Sequence, residues 1–391
     1  MAVSPRPRRH RALLPACDRL ESRELLSGMT SHVDHAVKSP LAVIDQQTAV
    51  RARKFHGPII SRLNPNPNAS FSTVPPNGDV NPYGVAVVPN GFPGGGTIQP
   101  RDVLVSNWNN SLNEQATGTT IVSISPGGSQ SVFYQAPQGV GLTTALGILK
   151  RGFVIVGNVP ATYTPTSVTV EQGSLMILDR SGNQVANLTN AALLNGPWDL
   201  TINDQGNHAQ VFVTNVTTAT VTRIDLKIHG SQVVVQDMVQ IGSGYGERPD
   251  PDALIVGPTG LAFDPKKDVL YVASTDDNAV YAISNALHTR TDRGKGRLVY
   301  QDPAHLRGPL GLVLAPNGDL LTTNGDAVNP DPSQPSELIE FTPKGQFVGQ
   351  LPLDQGQGAA FGLETIVSGN VLTLWSVDDV TNTLDMRSIS F

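Results

Sequence analysis

Cysteine is all but absent: Cys17 is the only one in 391 residues. An intramolecular disulfide is therefore impossible, and no metal site can rest on several thiolates. The lack of disulfides suits the cytosol, and equally an exported domain large enough to need no staples. Charged residues are only 15% of the chain, below the usual level of about a quarter, so long solvated helices are not expected. No run approaches about 18 consecutive apolar residues, which excludes a transmembrane helix. A conventional secretory signal also fails, because the apolar run Ala12-Leu13-Leu14-Pro15-Ala16-Cys17 stops at Asp18. The eight histidines (His10, His32, His35, His56, His208, His229, His288 and His305) form neither a His-x-His nor a His-Glu-x-x-His pair. A Gly-x-Ser-x-Gly elbow, the mark of an α/β-hydrolase nucleophile, is missing as well. Gly242-Ser243-Gly244-Tyr245-Gly246 is glycine-rich but has no lysine after it, so it reads as a connection and not a phosphate cradle.

Turn formers are plentiful, with 38 Gly and 30 Pro, and they are spaced in an orderly way. A short motif returns six times: Pro82-Tyr83-Gly84, Ala145-Leu146-Gly147, Pro197-Trp198-Asp199, Pro258-Thr259-Gly260, Pro309-Leu310-Gly311 and Ala360-Phe361-Gly362. Third places fall at 84, 147, 199, 260, 311 and 362, at intervals of 63, 52, 61, 51 and 51 residues. An apolar run follows each triplet and reads as an inner, covered strand. A turn comes next, as in Pro89-Asn90-Gly91 and Pro316-Asn317-Gly318, where Asn and Gly tolerate positive φ. Second strands such as Val103-Leu104-Val105-Ser106 and Val269-Leu270-Tyr271-Val272 end in polar clusters, among them Asn107-Trp108-Asn109-Asn110, Asp276-Asp277-Asn278 and Asp378-Asp379. Third strands and weaker fourth strands complete each unit. A repeat of this length built from short strands is one supersecondary unit set beside copies of itself.

Four antiparallel strands repeated radially make a β-propeller, here an all-β, six-bladed one. The sixth unit has no fourth strand of its own, since the chain ends at Phe391. The segment near Ser70-Phe71-Ser72-Thr73-Val74 is the expected donor. Closing the last blade with an N-terminal strand would remove a sheet edge that otherwise invites aggregation. Longer loops are expected at 160–170, 242–256, 285–296 and 325–335, and long loops on a rigid scaffold are where binding usually sits.

The fourth unit, Gly257-Pro258-Thr259-Gly260-Leu261-Ala262-Phe263-Asp264-Pro265 with Leu270-Tyr271-Val272-Ala273-Ser274 and Asn278-Ala279-Val280-Tyr281, resembles NHL-type and gluconolactonase-like six-bladed propellers. The likeness spans roughly residues 56–391 and speaks for architecture more than activity. In the lactonase-like group it implies carboxylate and amide ligands for one divalent cation at the inner ends of first strands. The matching places hold Asn81-Pro82-Tyr83, Thr259-Gly260 and Leu310-Gly311, and Asp199 is the only acid at that depth. The expectation is therefore a binding or scaffold module without catalysis, taking a protein or carbohydrate partner. A divalent-metal lactonase or esterase is the alternative, with Ca²⁺ as its cation and no cofactor otherwise. Candidate ligand contacts are Asn81, Tyr83, Trp108, Trp198, Asp199, Thr259 and Phe361. Aromatics on a rigid frame are good anchors for glycans and peptides, although the same rings could equally fill a tunnel. The Asn and Asp clusters have two readings also, a polar ligand surface or the turn chemistry of each blade.

Charge separates the chain into a head and a body. Residues 1–54 carry ten Lys/Arg against five Asp/Glu, about +5 in a chain of net −6, which leaves about −11 on 55–391. An acidic body argues against a nucleic-acid partner, whose binding rests on clustered cations. In the head, Leu20-Glu21-Ser22-Arg23-Glu24-Leu25-Leu26-Ser27 follows Arg8-Arg9-His10-Arg11. This resembles the N-terminal motif of large exported planctomycete proteins and implies secretion or cell-envelope placement. Residues 28–54 read as a linker, and a monomer is expected. If the head is an address, the full chain will fractionate with the envelope or medium, and removal of residues 1–27 will leave it in the cytoplasm. Identical fractionation of the two would overturn the address.

Overall fold

A computed structural model describes residues 55–391, apart from 138–139, 165–166, 251–252, 326, 332 and 334–335. The basic head and its export-like motif lie outside the described residues. Six four-stranded antiparallel sheets form the body, each in the order of the chain except the last, and together they make a six-bladed β-propeller. The first blade is Val80–Val87, Val103–Asn109, Thr120–Ile124 and Gln130–Gln135. Later blades begin at Leu142–Leu149, Pro197–Asp204, Pro258–Asp264, Pro309–Leu314 and Ala360–Ser368. Among the described residues no helix is long and apolar enough to cross a membrane; one 3-10 turn, Ile60–Arg62, is the only helix.

The ring closes as the strand count required. Ala69–Ser72 pairs with Thr383–Ser390, with Phe71 opposite Leu384 and Ser70 opposite Asp385. A strap just before this strand locks the closure. Phe55, Ile59, Ile60 and Leu63 enter a core with Leu338, Leu351, Leu372 and Leu374 of the fifth and sixth blades. Glu340, wholly buried, accepts the Ile59 and Ile60 N–H groups at 2.8 Å each. Buried Arg387 donates to the Pro65 carbonyl at 2.9 and 3.1 Å. Each buried charge is thus satisfied by backbone that would otherwise be unpaired, as burial of a charge requires.

The recurring triplet marks a recurring defect. In all six first strands the pairing slips at this point, between Pro82 and Val85, Leu142 and Leu146, Pro197 and Leu200, Pro258 and Leu261, Pro309 and Leu312, and Ala360 and Leu363. These are β-bulges, which bend a strand and leave the extra residue unpaired. They correct the second repeat unit. Leu146 pairs with Val156 as Val85 pairs with Val105, so Thr143-Thr144-Ala145 fill the place of Tyr83-Gly84, and Gly147 lies deeper. The second bulge holds one residue more than the others, and an alignment by glycine slid past it.

Glycine at the bulge has a packing cause. A Cβ on Gly362 would stand 2.1 Å from the Tyr83 carbonyl oxygen of the neighbouring blade, and one on Gly260 would stand 2.2 Å from that of Leu310. The orphan N–H of the bulge is met by a second-strand hydroxyl. Ser106 Oγ accepts from Gly84 N at 2.9 Å and donates to the Thr143 carbonyl at 2.7 Å. Thr214 links Asp199 N (3.0 Å) to the Thr259 carbonyl (2.9 Å). Thr323 links Gly311 N (2.9 Å) to the Phe361 carbonyl (2.8 Å). One side chain thereby satisfies its own blade and ties it to the next. The residue after each of these, Asn107, Asn215 or Asn324, is fully buried and turns its amide back to the incoming chain, on the Thr73, Leu193 and His305 carbonyls. Those Asn clusters therefore serve blade construction.

Two of the expected loops contain small hairpins, Ala161–Thr164 with Ser167–Val170 and Arg248–Asp250 with Leu254–Val256. The strand before the second is also longer than expected, Gln232–Ser243. Thr323→Val should lower unfolding free energy by about 2 kcal/mol or more, since it strips a buried donor and a buried acceptor of their partner at once. Denaturant titration would check this; a loss under about 0.5 kcal/mol would deny the hydroxyl its role as a joint.

Candidate functional site

Rings of three first strands and of one second strand meet inside the propeller. Tyr83 stacks on Phe361 with centroids 4.2 Å apart and on Trp108 at 5.5 Å. Trp198 meets Trp108 edge-on at 5.0 Å and Tyr83 at 5.9 Å. Relative exposure is 2% for Tyr83, 0% for Trp108 and 3% for Trp198. The hairpins seal the group, with Ala161 and Val170 of one and Leu254 and Ile255 of the other packed on it. These rings act as a plug, and Trp108 presents no face to solvent.

The plug parts two cavities. On one side lies a channel of about 260 Å³, lined by Trp198, Asp199, Thr259, Thr144, Gly362 and Glu364 among others. Asp199 stands where four blades have glycine, and its Oδ2 accepts the Leu261 N–H of the next blade at 2.9 Å. Thr259 is spent on structure, bonding Thr275 Oγ1 and the Pro309 carbonyl, each at 3.0 Å. Burial pushes the Asp199 carboxyl up to about 7, with the Glu364 charge adding to it, and burial alone pushes Glu364 up to about 7.

The other side is a funnel of about 830 Å³, walled by Asn81, Tyr83, Asn109, Asn113, Gln115, Asp250, Phe361, Asp379 and Asn382 with their neighbours. Its wall is rich in oxygen. Three buried oxygens there, Asn81 Oδ1, Asn109 Oδ1 and Asp379 Oδ1, have no hydrogen-bond donor, although Asn81 is only 8% and Asn109 only 2% exposed. Asn109 lies opposite Val80 across the ladder, one residue from Asn81, and both Asn residues line the funnel. Asn81 holds φ +61°, a left-handed conformation that Asn tolerates, and its N–H donates to Asn382 Oδ1 at 2.7 Å. The second Asn109 group, Nδ2, is bound to Asn113 Oδ1 at 2.7 Å.

Three acids crowd the sixth-blade side. Burial first, then the charges of Asp378 and Asp354, push Asp379 up to about 7. Asp378 is raised to about 6 by burial and by Asp354. Tyr83 is pushed far up by burial and by the Asp379 charge, so its phenol stays protonated. Among the described residues no three His, Cys, Asp or Glu side chains converge for a metal; a cation here would rely on amide oxygens together with Asp379.

The structure thus divides the seven expected contacts. Asn81, Tyr83 and Phe361 face the funnel, Trp198, Asp199 and Thr259 face the channel, and Trp108 is sealed between. Sequence reasoning missed Asn113, Gln115, Asp250, Asp379 and Asn382. A signal existed beside Asp379: Asp378 stands at the register place where four other second strands have Asn107, Asn158, Asn215 and Asn324.

Neither a protein-family model nor a curated protein matches this chain. Similar solved structures include a gluconolactonase from Xanthomonas campestris, 14% identical over 81% of this chain and 88% of that one, with TM-score 0.48. A calcium-binding regucalcin from Agrobacterium tumefaciens is 11% identical over 81% and 92%, with TM-score 0.49. A chain of a mitotic checkpoint complex is 12% identical over 88% and 100%, with TM-score 0.50. At these identities the likeness is one of fold alone.

The raised channel acids give stability a sign. Asp199 and Glu364 bind protons more tightly folded than unfolded, so stability is full below about pH 4 and falls as pH rises through about 7. Asp199→Asn with Glu364→Gln should flatten that fall, raising stability at pH 8 relative to pH 4 by about 2 kcal/mol, a figure reduced for channel water. Urea melts at the two pH values would check it, and an unchanged slope would refute it.

Proposed function

We propose that the funnel binds a hard divalent cation together with a small oxygen-rich ligand, and that its chemistry is hydrolysis of a lactone or ester. The observation that carries this is the set of donorless buried oxygens, Asn81 Oδ1, Asn109 Oδ1 and Asp379 Oδ1, on the wall of one cavity. Buried acceptors are rarely left without a partner, and a hard cation seeks several oxygens of this kind. The lactonase-type position itself does not fit. At the first-strand ends stand Tyr83, Trp198 and Phe361, packed against one another, and Asp199 opens to the opposite side of that plug. The oxygens that do fit lie one layer outward.

A bound divalent cation would polarise the ester carbonyl and acidify water. Asp379 would hold the cation, and a carboxylate bound to a divalent cation stays ionised even though burial and the charges of Asp378 and Asp354 raise it without one. Water loses its proton to solvent while its oxygen adds to the carbonyl carbon. The carbon–oxygen bond to the leaving alcohol then breaks, and a proton returns from solvent to that oxygen. Tyr83 stays protonated at the base of the funnel, its ring stacked on Phe361 and Trp108 and its hydroxyl beside the Asn81 side chain.

Recognition without turnover is the second reading, favoured by the Phe361 ring, half-buried at the funnel floor, a surface of the kind that holds sugars. Calorimetric titration with Ca²⁺ should show one site, lost in Asp379→Asn and weakened at least tenfold in Asn109→Ala. With Ca²⁺ present, γ-butyrolactone should be hydrolysed, and Asp379→Asn should abolish turnover together with the calcium heat. Calcium-dependent saccharide binding with no hydrolysis would select the second reading, and neither calcium heat nor turnover would refute both.

A further inference from the structure

The funnel does not end at its oxygen-rich wall. A second cavity of about 590 Å³ adjoins it, with Asn113, Gln115 and Asp250 on the walls of both. Beyond these and Glu114 the lining changes character, to Tyr163, Val168, Pro249 and Leu254. All four come from the two small hairpins, which form a shelf beside the funnel. Tyr163 and Val168 are directly opposed in their hairpin, and remain 41% and 42% exposed. The Tyr163 hydroxyl donates to the Gln115 carbonyl at 2.9 Å, which fixes the ring against the funnel loop. Leu254 has φ +65°, a conformation rare for a bulky residue and kept only where its surroundings impose it. Further round the rim, Leu112 and Val380 are 77% and 58% exposed.

Exposed apolar side chains scattered over outer strands need no explanation, but a contiguous group at the mouth of a polar cavity does. We infer that the ligand is amphiphilic, with an oxygen-rich lactone or ester head in the funnel and an alkyl or aryl tail along the Tyr163–Val168–Pro249–Leu254 shelf. This rests on the funnel reading above and adds the substrate class to it. The head would meet Asn81, Asn109 and Asp379. The tail would cover apolar surface that a short polar ligand leaves in water, and such burial strengthens binding in proportion to the area removed.

The probe is a set of γ-lactams, which keep the ring but resist hydrolysis, carrying no chain, a butyl chain or an octyl chain. Their affinities for the Ca²⁺-loaded protein are measured by calorimetry. Affinity should rise about twofold per methylene, the square root of the roughly fourfold gain for full burial, because a shelf covers one side of the tail. In Tyr163→Ala with Val168→Thr the rise should flatten while the unsubstituted lactam binds as before. Tyr163→Phe, which keeps the ring, should retain the rise. Both positions are exposed, and an unchanged melting temperature would show that the fold persists. Equal affinities for the three lactams, or a gain with chain length that survives the double substitution, would overturn the shelf while leaving the funnel intact. If even the unsubstituted lactam fails to bind and no lactone is hydrolysed, the funnel reading falls and the shelf with it.

Discussion

A bulge in the innermost strand of every blade is the constraint on which this molecule turns. Six strands converging on one axis bring backbones so close that Gly260 and Gly362 face the carbonyl of the next blade with no room for a Cβ. Convergence also strands an N–H at each bulge, and a stranded buried donor is costly. Ser106, Thr214 and Thr323 answer by accepting that N–H and donating to the neighbouring blade. Local repair and assembly of the ring are thus done by the same oxygen. The pattern serves alternate blades, the first, third and fifth, while the second and fourth reach forward with Thr143 and Thr259 to the Pro197 and Pro309 carbonyls.

The same crowding governs the site. The first residue of each bulge turns inward, and three blades place Tyr83, Trp198 and Phe361 there. Their rings fill the bore and divide it, so that a tunnel open in principle from end to end becomes a funnel and a channel with separate chemistry. Asp199, the one acid at the bulge, is cut off from the funnel. The oxygens of the funnel belong to the next layer out, where second strands end and loops return. Acids in each space are raised by burial, and their like charges reinforce one another where they are near. Such perturbed groups cluster where a protein binds or reacts.

Blade count, strand order and the closing strand were legible in the sequence because each is local. An apolar run, a turn and a second run declare a hairpin, and six such units with one strand missing call for a donor at the other terminus. The register of the second blade was not legible, since Thr143-Thr144-Ala145 form a longer bulge and no local feature distinguishes a longer bulge from a shifted repeat. The seven candidate contacts came from comparing one position across blades. That comparison found the right depth along the chain, but it had no measure of which side of a side chain the solvent occupies. Trp108 and Thr259 therefore joined the list although one is sealed and the other bonded across a joint.

What the sequence determined alone is the ring: periodic strands, their turn chemistry and the need to close an edge are properties of neighbours along the chain. What only the tertiary structure decided is where the ring is open. Burial of Asn81 and Asn109 without donors, the elevation of Asp379 by burial and by the charges of Asp378 and Asp354, and the adjoining of funnel and shelf are all set by how the chain packs around them. Solvation and charge act through space, and distances across the axis are set by packing rather than by spacing in the chain.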